Sequence, residues 1–98
     1  MAVDKKKDAK VENELNKVVG KTIRLRRKRL GKSIETVALD ANIHPSYLSE
    51  IERGKSTPSY YILLKVAYVI GLNNHALFAG TRKEIEELLK EKEFNEKS

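Results

Sequence analysis

With 98 residues, of which 35% are charged and 40% apolar, the chain has room for one small domain that buries only about two-thirds of its unfolded surface, too little for a deep catalytic cleft. It has no cysteine, which excludes disulfides and thiolate metal sites and leaves stability to helix packing. The net charge of +6 favours an anionic partner; with no apolar run near the roughly 20 residues that cross a bilayer, and no signal-peptide core in MAVDKKKDAK, a soluble cytoplasmic protein is expected.

Residues 1–10 are polar and without periodicity, and are expected to form a disordered basic tail that adds non-specific attraction to phosphates. From Val11 to Leu30 the spacing predicts one helix with two apolar stripes. Val19, Ile23 and Leu30, spaced four and seven apart, form one stripe, and Val11, Leu15, Val18, Thr22 and Leu25 a heptad-like seam. The seam is expected to pack against the carboxy-terminal helix or against a second subunit. The end of this helix is electrostatically one-sided, with seven basic residues and no acid between Lys21 and Lys32.

A second helix should open at Ser33, whose hydroxyl can cap a free N–H, and run through Ile34, Val37, Ala38 and Ala41. The small residue Ala38 lets another helix cross closely, and Asn42 stands where the chain must turn, being one of few non-glycine residues that tolerate positive φ. A third helix starts at His44 and Pro45, buries Leu48 and Ile51, and stops at Gly54. Against the basic stretch before it, Ser33–Gly54 carries Glu35, Asp40, Glu50 and Glu52 with Arg53 as the one cation.

A fourth helix is expected after Pro58, capped by Ser59, with Tyr61, Leu64, Ala67, Val69 and Ile70 forming its mostly buried face up to Gly71. Of the tyrosine pair, Tyr61 is expected inside and Tyr60 at the surface. A short helix over 74–79 supplies Leu77 and Phe78 as plugs, and Gly80 breaks it. Thr81 and Glu84 then read as a capping box opening a charged helix whose narrow stripe is Ile85, Leu88 and Leu89. There is no strand-like alternation, so the fold class expected is all-α, with five core helices and a sixth at the carboxy terminus. The division is a tail over 1–10, a domain over 11–79 with its motif at 33–54, and a charged helix over 80–98 suited to dimerisation.

The pattern of an apolar residue at 37, small residues at 38 and 41, a turn residue at 42 and apolar residues at 43, 48 and 51, followed by ERGKSTPS, resembles the helix-turn-helix domains of the phage-repressor-like family (lambda repressor and Cro, XRE type). The resemblance covers roughly Val19 to Phe78, and implies that the stripe of Val19, Ile23 and Leu30 is buried in the core. It implies a five-helix DNA-binding domain here extended at helix 1, of prokaryotic or phage type, whose second motif helix enters the major groove. It departs from the family at Ile34, where glutamine often holds a phosphate, at Asn42 in place of glycine, and at Lys32, often apolar.

Carried onto this sequence, the resemblance implies base contacts from His44, Pro45, Ser46, Tyr47, Ser49 and Glu50. Ser46 and Glu50 are favoured because they lie four apart on the face opposite Leu48 and Ile51, and because glutamate can accept from cytosine N4. Phosphate contacts fall to Arg53, Lys55, Thr57 and Tyr60. Arg27 is expected to pair with Glu52 as a structural ion pair outside the reading set. Dimer candidates are Leu15, Leu25, Ile85, Leu88 and Leu89.

No enzyme is expected. His44 and His75 are isolated, no HExxH or phosphate loop is present, and the carboxylates of the last helix fall all round it. No metal, no cofactor and no small-molecule domain is expected. The partners expected are double-stranded DNA and a second copy of the chain, in a regulator that represses transcription from an inverted-repeat operator. The alternative is an antitoxin-like or anti-repressor module that binds another protein, suggested by the acidic motif, Ile34 and Glu50.

Overall fold

The computed structural model describes residues 4–97, with side chains through Lys90, and among these residues every regular element is helical. The order is α1 (Lys5–Arg29), α2 (Ile34–Asp40), α3 (Pro45–Glu52), α4 (Tyr60–Val69), α5 (Asn74–Phe78), a 3-10 turn (Ala79–Thr81) and α6 (Arg82–Lys97). Each inner helix starts on a side chain that accepts from an otherwise unpaired N–H: Ser33 from Thr36 at 3.1 Å, Ser59 from Ile62 at 3.2 Å and Asn73 from Ala76 at 2.8 Å.

Helix α1 begins earlier than its apolar periodicity suggests. Asp4 caps it through the N–H of Lys7 at 3.0 Å, so residues 5–10 are helical rather than a loose tail; the expectation for residues 1–3 lies outside the described residues. Apolar spacing reports only the part of a helix that packs. Here the extension rests on the Asp4 cap and on Asp8 in the first turn, which favour the helix amino terminus against the unfavourable charge of Lys5, Lys6 and Lys7.

The core closes where α1 crosses α3, with Ile23, Val37, Leu48, Ile51, Val66 and Ile70 all essentially inaccessible. Three sequence assignments shift. Leu30, expected in the core stripe of α1, is 40% exposed, and the place four residues after Ile23 is taken by Arg27, which is buried. On α4 the buried face is Leu63, Val66, Ala67 and Ile70 instead of the face through Tyr61 and Leu64. Tyr61 is 66% exposed, with the ammonium of Lys65 4.9 Å from its ring centre.

The seam on α1 packs inward for most of its length, because α6 and the 3-10 turn lie against α1. Val11, Leu15, Val18 and Thr22 are half-buried, while Leu25 remains exposed. The capping box does not form. Arg82 already has helical angles (φ −60°, ψ −43°) where it follows the 3-10 turn, and Thr81 donates its hydroxyl to the Phe78 carbonyl at 2.7 Å. Helix runs into helix, so there is no free end for Thr81 to cap.

Candidate nucleic-acid interface

The turn between α2 and α3 rests on Asn42, the only non-glycine residue with positive φ (55°) among the described residues. Behind it the N–H of Ile43 donates to the Ala38 carbonyl at 3.0 Å, closing the end of α2. Proline at the first turn of α3 gives up an N–H that no helix bond needs, and His44 caps the helix by accepting from the N–H of Ser46 at 3.2 Å. Val37, Ala38, Ala41, Leu48 and Ile51 are buried between the two helices and α1, so the outward face of α3 is held as one rigid edge.

Two contacts set the angle of α3 against α1. At Gly20 the helices approach so closely that an added Cβ would collide with the Ile51 carbonyl oxygen and stand 2.7 Å from that of Glu52. One helical turn or two further along, Arg27 grips Glu52 with two prongs, Nε to Oε2 at 2.7 Å and Nη2 to Oε1 at 2.9 Å, the side chains being 10% and 3% exposed. Its third nitrogen donates to the Lys32 carbonyl at 2.9 Å, tying down the α1–α2 link. The hydrogen bond to Glu52 holds the Arg27 guanidinium above its ordinary pKa, against the opposing effect of burial. Arg26 serves a parallel purpose elsewhere, donating to the Ile70 carbonyl at 2.8 Å at the end of α4.

Of the six residues expected to meet bases, His44, Ser46 and Glu50 are exposed on α3, while Pro45, Tyr47 and Ser49 are half-buried. Tyr47 packs against the core cluster. Ser46 Oγ lies 2.7 Å from Nδ1 of His44, and Glu50 accepts from the Ser56 hydroxyl at 3.1 Å. Around them Arg53 is exposed with Nε folded back to the Ser49 carbonyl at 3.3 Å, Lys55 is exposed, and Tyr60 is 62% exposed with its hydroxyl accepting from Asn74 at 3.4 Å.

Thr57 is engaged from an unexpected side. Its hydroxyl donates to Glu12 at 2.5 Å and accepts from Asn16 at 2.7 Å, both on the early turns of α1. Lys17 lies along the same loop, its backbone and stem pressed against Gly54, where an added Cβ would come within 2.7 Å of Lys17 Cγ. None of Glu12, Asn16 and Lys17 stands out by residue type. The one signal for them is Gly20 itself, an isolated glycine inside a helical pattern, which marks a close crossing. Once that crossing is known, residues one turn before it fall beside the loop that follows α3.

Among the described residues no group of three histidine, cysteine or acidic side chains is placed to hold a metal ion, and no single helix is long and apolar enough to cross a membrane.

This geometry matches that of known proteins. The helix-turn-helix family model matches residues 23–73. The HTH-type transcriptional regulator SlrR of Bacillus subtilis (strain 168) is 44% identical over 62 residues, covering 62% of this chain and 41% of the relative, so the chain spans about two-fifths of that relative's length. Among solved structures, the restriction-modification controller protein C.AhdI from Aeromonas hydrophila superposes with a TM-score of 0.62 at 30% identity, covering 64% of this chain and 96% of the other. The controller protein C.Esp1396I, solved as a tetramer in complex with its natural 35 base-pair operator, superposes with a TM-score of 0.62 at 25% identity over 72% of this chain and 93% of its own. The two-pronged lock behind α3 and a family match over half the chain together place this protein in the XRE-type helix-turn-helix family of transcriptional regulators.

Proposed function

We propose that the protein binds an inverted-repeat DNA operator as a homodimer, with α3 of each copy in the major groove, and represses transcription where that operator overlaps a promoter. The observation that carries this reading is the state of α3: its inner face is fully buried, its far end is locked to α1 through Arg27 and Glu52, and its outer edge of His44, Ser46 and Glu50 is exposed. A helix held that rigidly and left open along one edge is built to be inserted. Pro45, Tyr47 and Ser49 border that edge, and Arg53, Lys55, Thr57 and Tyr60 flank it as phosphate contacts that set register.

Support for assembly comes from exposed apolar side chains outside the core, Leu25 and Leu89 at 57% and Ile85 at 38%, next to half-buried Leu15 and Leu88. The similar protein C.Esp1396I assembles on its operator as a tetramer. Two copies would hold their α3 helices about 34 Å apart, one turn of B-DNA. Such a regulator needs no cofactor and performs no chemistry on its ligand, and it works where the DNA is, in the cytoplasm.

A second reading, a module that binds another protein, draws on one feature of the reading edge: Glu50 puts a carboxylate where a phosphate-lined groove would approach, and the motif around it is acidic. One experiment separates the two. Selection from random duplex DNA at about 0.15 M salt, where purely electrostatic binding is already weakened, is expected to enrich a short inverted repeat. Arg53→Ala should then weaken binding to all sequences and flatten the salt dependence. Failure to enrich any sequence would favour the protein-binding reading.

A further inference from the structure

On the exposed edge of α3 the hydrogens of the reading groups are already assigned. Nδ1 of His44 accepts from the backbone N–H of Ser46 at 3.2 Å. That nitrogen therefore acts as an acceptor at the start of α3. The Ser46 hydroxyl lies 2.7 Å from the same nitrogen, a separation that requires a proton between the two atoms. Only the hydroxyl can supply it. Ser46 Oγ thus donates back to His44 and turns its lone pairs outward.

Glu50, one turn along the same face, has only acceptor oxygens. Its Oε2 takes the hydroxyl proton of Ser56 at 3.1 Å, which pins the carboxylate against the loop after α3. Both Ser46 and Glu50 are exposed, and a spacing of four puts them side by side.

We infer that Ser46 and Glu50 form an acceptor-only reading edge, and that each operator half-site presents exocyclic amino groups to it at neighbouring positions: cytosine opposite Glu50, and adenine or cytosine opposite Ser46. This rests on α3 being the major-groove helix. In that groove cytosine N4 and adenine N6 are the donors, whereas guanine N7 and O6 and thymine O4 accept. An acceptor-only edge is attracted to the first set and repelled by the second. Adenine also places N7 beside its amino group, which opposes a full carboxylate and leaves cytosine for Glu50. A serine with a free hydroxyl would read either kind of base, and His44 removes that freedom. His44 and Ser56 act here as positioning residues.

The test uses the full chain and the operator selected from random duplex DNA. Wild-type protein is expected to select a C·G pair at the position that Glu50→Gln alters, and Glu50→Gln should convert it to A·T, because a glutamine amide can bond adenine N6 and N7 together. The shift in preference should be about tenfold or more. Amino groups are then deleted one at a time from the operator, with 2-pyrimidinone replacing cytosine or purine replacing adenine. Deletion at either position should cost wild-type protein about tenfold in affinity. It should cost Ser46→Ala nothing further at its own position and Glu50→Ala nothing further at the other, and Ser56→Ala should blunt the effect at the Glu50 position alone.

An A·T pair at the Glu50 position in the wild-type operator, or amino deletions that cost the variants as much as wild type, would overturn the inference while leaving DNA recognition intact. If wild-type protein selects no sequence at all, the major-groove reading fails and takes this inference with it. All four substitutions lie outside the buried core, and circular dichroism of each variant checks that the helices are retained.

Discussion

Gly20 stands in the interior of α1, where alanine would be the better helix former by about 1 kcal/mol. Its surroundings reverse that preference. The atoms a Cβ would meet are the carbonyl oxygens of Ile51 and Glu52, which belong to the last turn of α3 and cannot rotate away as a side chain could. Gly20→Ala is therefore expected to destabilise the protein by about 2 kcal/mol or more in urea unfolding, the range typical of overpacking. A stability equal to or above wild type would show that the two helices do not cross so closely. At this scale the sequence was readable where chemistry is local: Asn42 at the turn, Ser33 and Ser59 at helix starts, His44 as a cap. It was silent where a residue matters for what lies opposite it, as with Glu12 and Asn16 on Thr57, because a contact across more than forty residues leaves no local mark.

Between elements, the relation of α3 to α1 depends on a charged pair inside an apolar crossing. The resemblance to a known family pointed both to the Arg27–Glu52 pair and to Leu30 in the core stripe, and the structure keeps the pair but leaves Leu30 exposed. Periodicity counts only apolar side chains, so a buried arginine whose charge is fully paired is invisible to it. Breaking such a pair leaves one charge stranded. Glu52→Leu alone is expected to cost about 3 kcal/mol, and Arg27→Met with Glu52→Leu to recover most of that loss. A double-mutant cycle in urea reads the coupling, and additive effects of the two single changes would mean that the pair is not coupled. The shifted register of α4 has a different origin. Tyr60 to Leu64 are five apolar residues in succession, so several faces look equally suitable until packing against α2 and α5 selects Leu63, Val66, Ala67 and Ile70.

Taken whole, the molecule is elongated, 51 × 21 × 18 Å, with basic α1 on one flank and the densely but almost evenly charged α6 packed against it. That arrangement leaves Leu25 and Leu89 exposed outside the core, and for the proposed dimer Leu25→Asp together with Leu89→Asp is expected to shift sedimentation towards monomer without loss of helix. Leu39, 79% exposed at the end of α2, provides the control: Leu39→Asp should leave the assembly unchanged. An unaltered sedimentation profile in the Leu25 and Leu89 variant would remove these residues from the proposed dimer contact. The amino-terminal half of α1 bears on binding in another way, through the single hydroxyl of Thr57. Its proton is held by Glu12 in the free protein, and a phosphate arriving at this loop needs that same proton. Binding would then be an exchange of partners, in which an internal contact opens as an external one closes. Domain stability and ligand affinity become opposed through one atom, so variants chosen for a firmer hold between α1 and the loop should grip DNA less well.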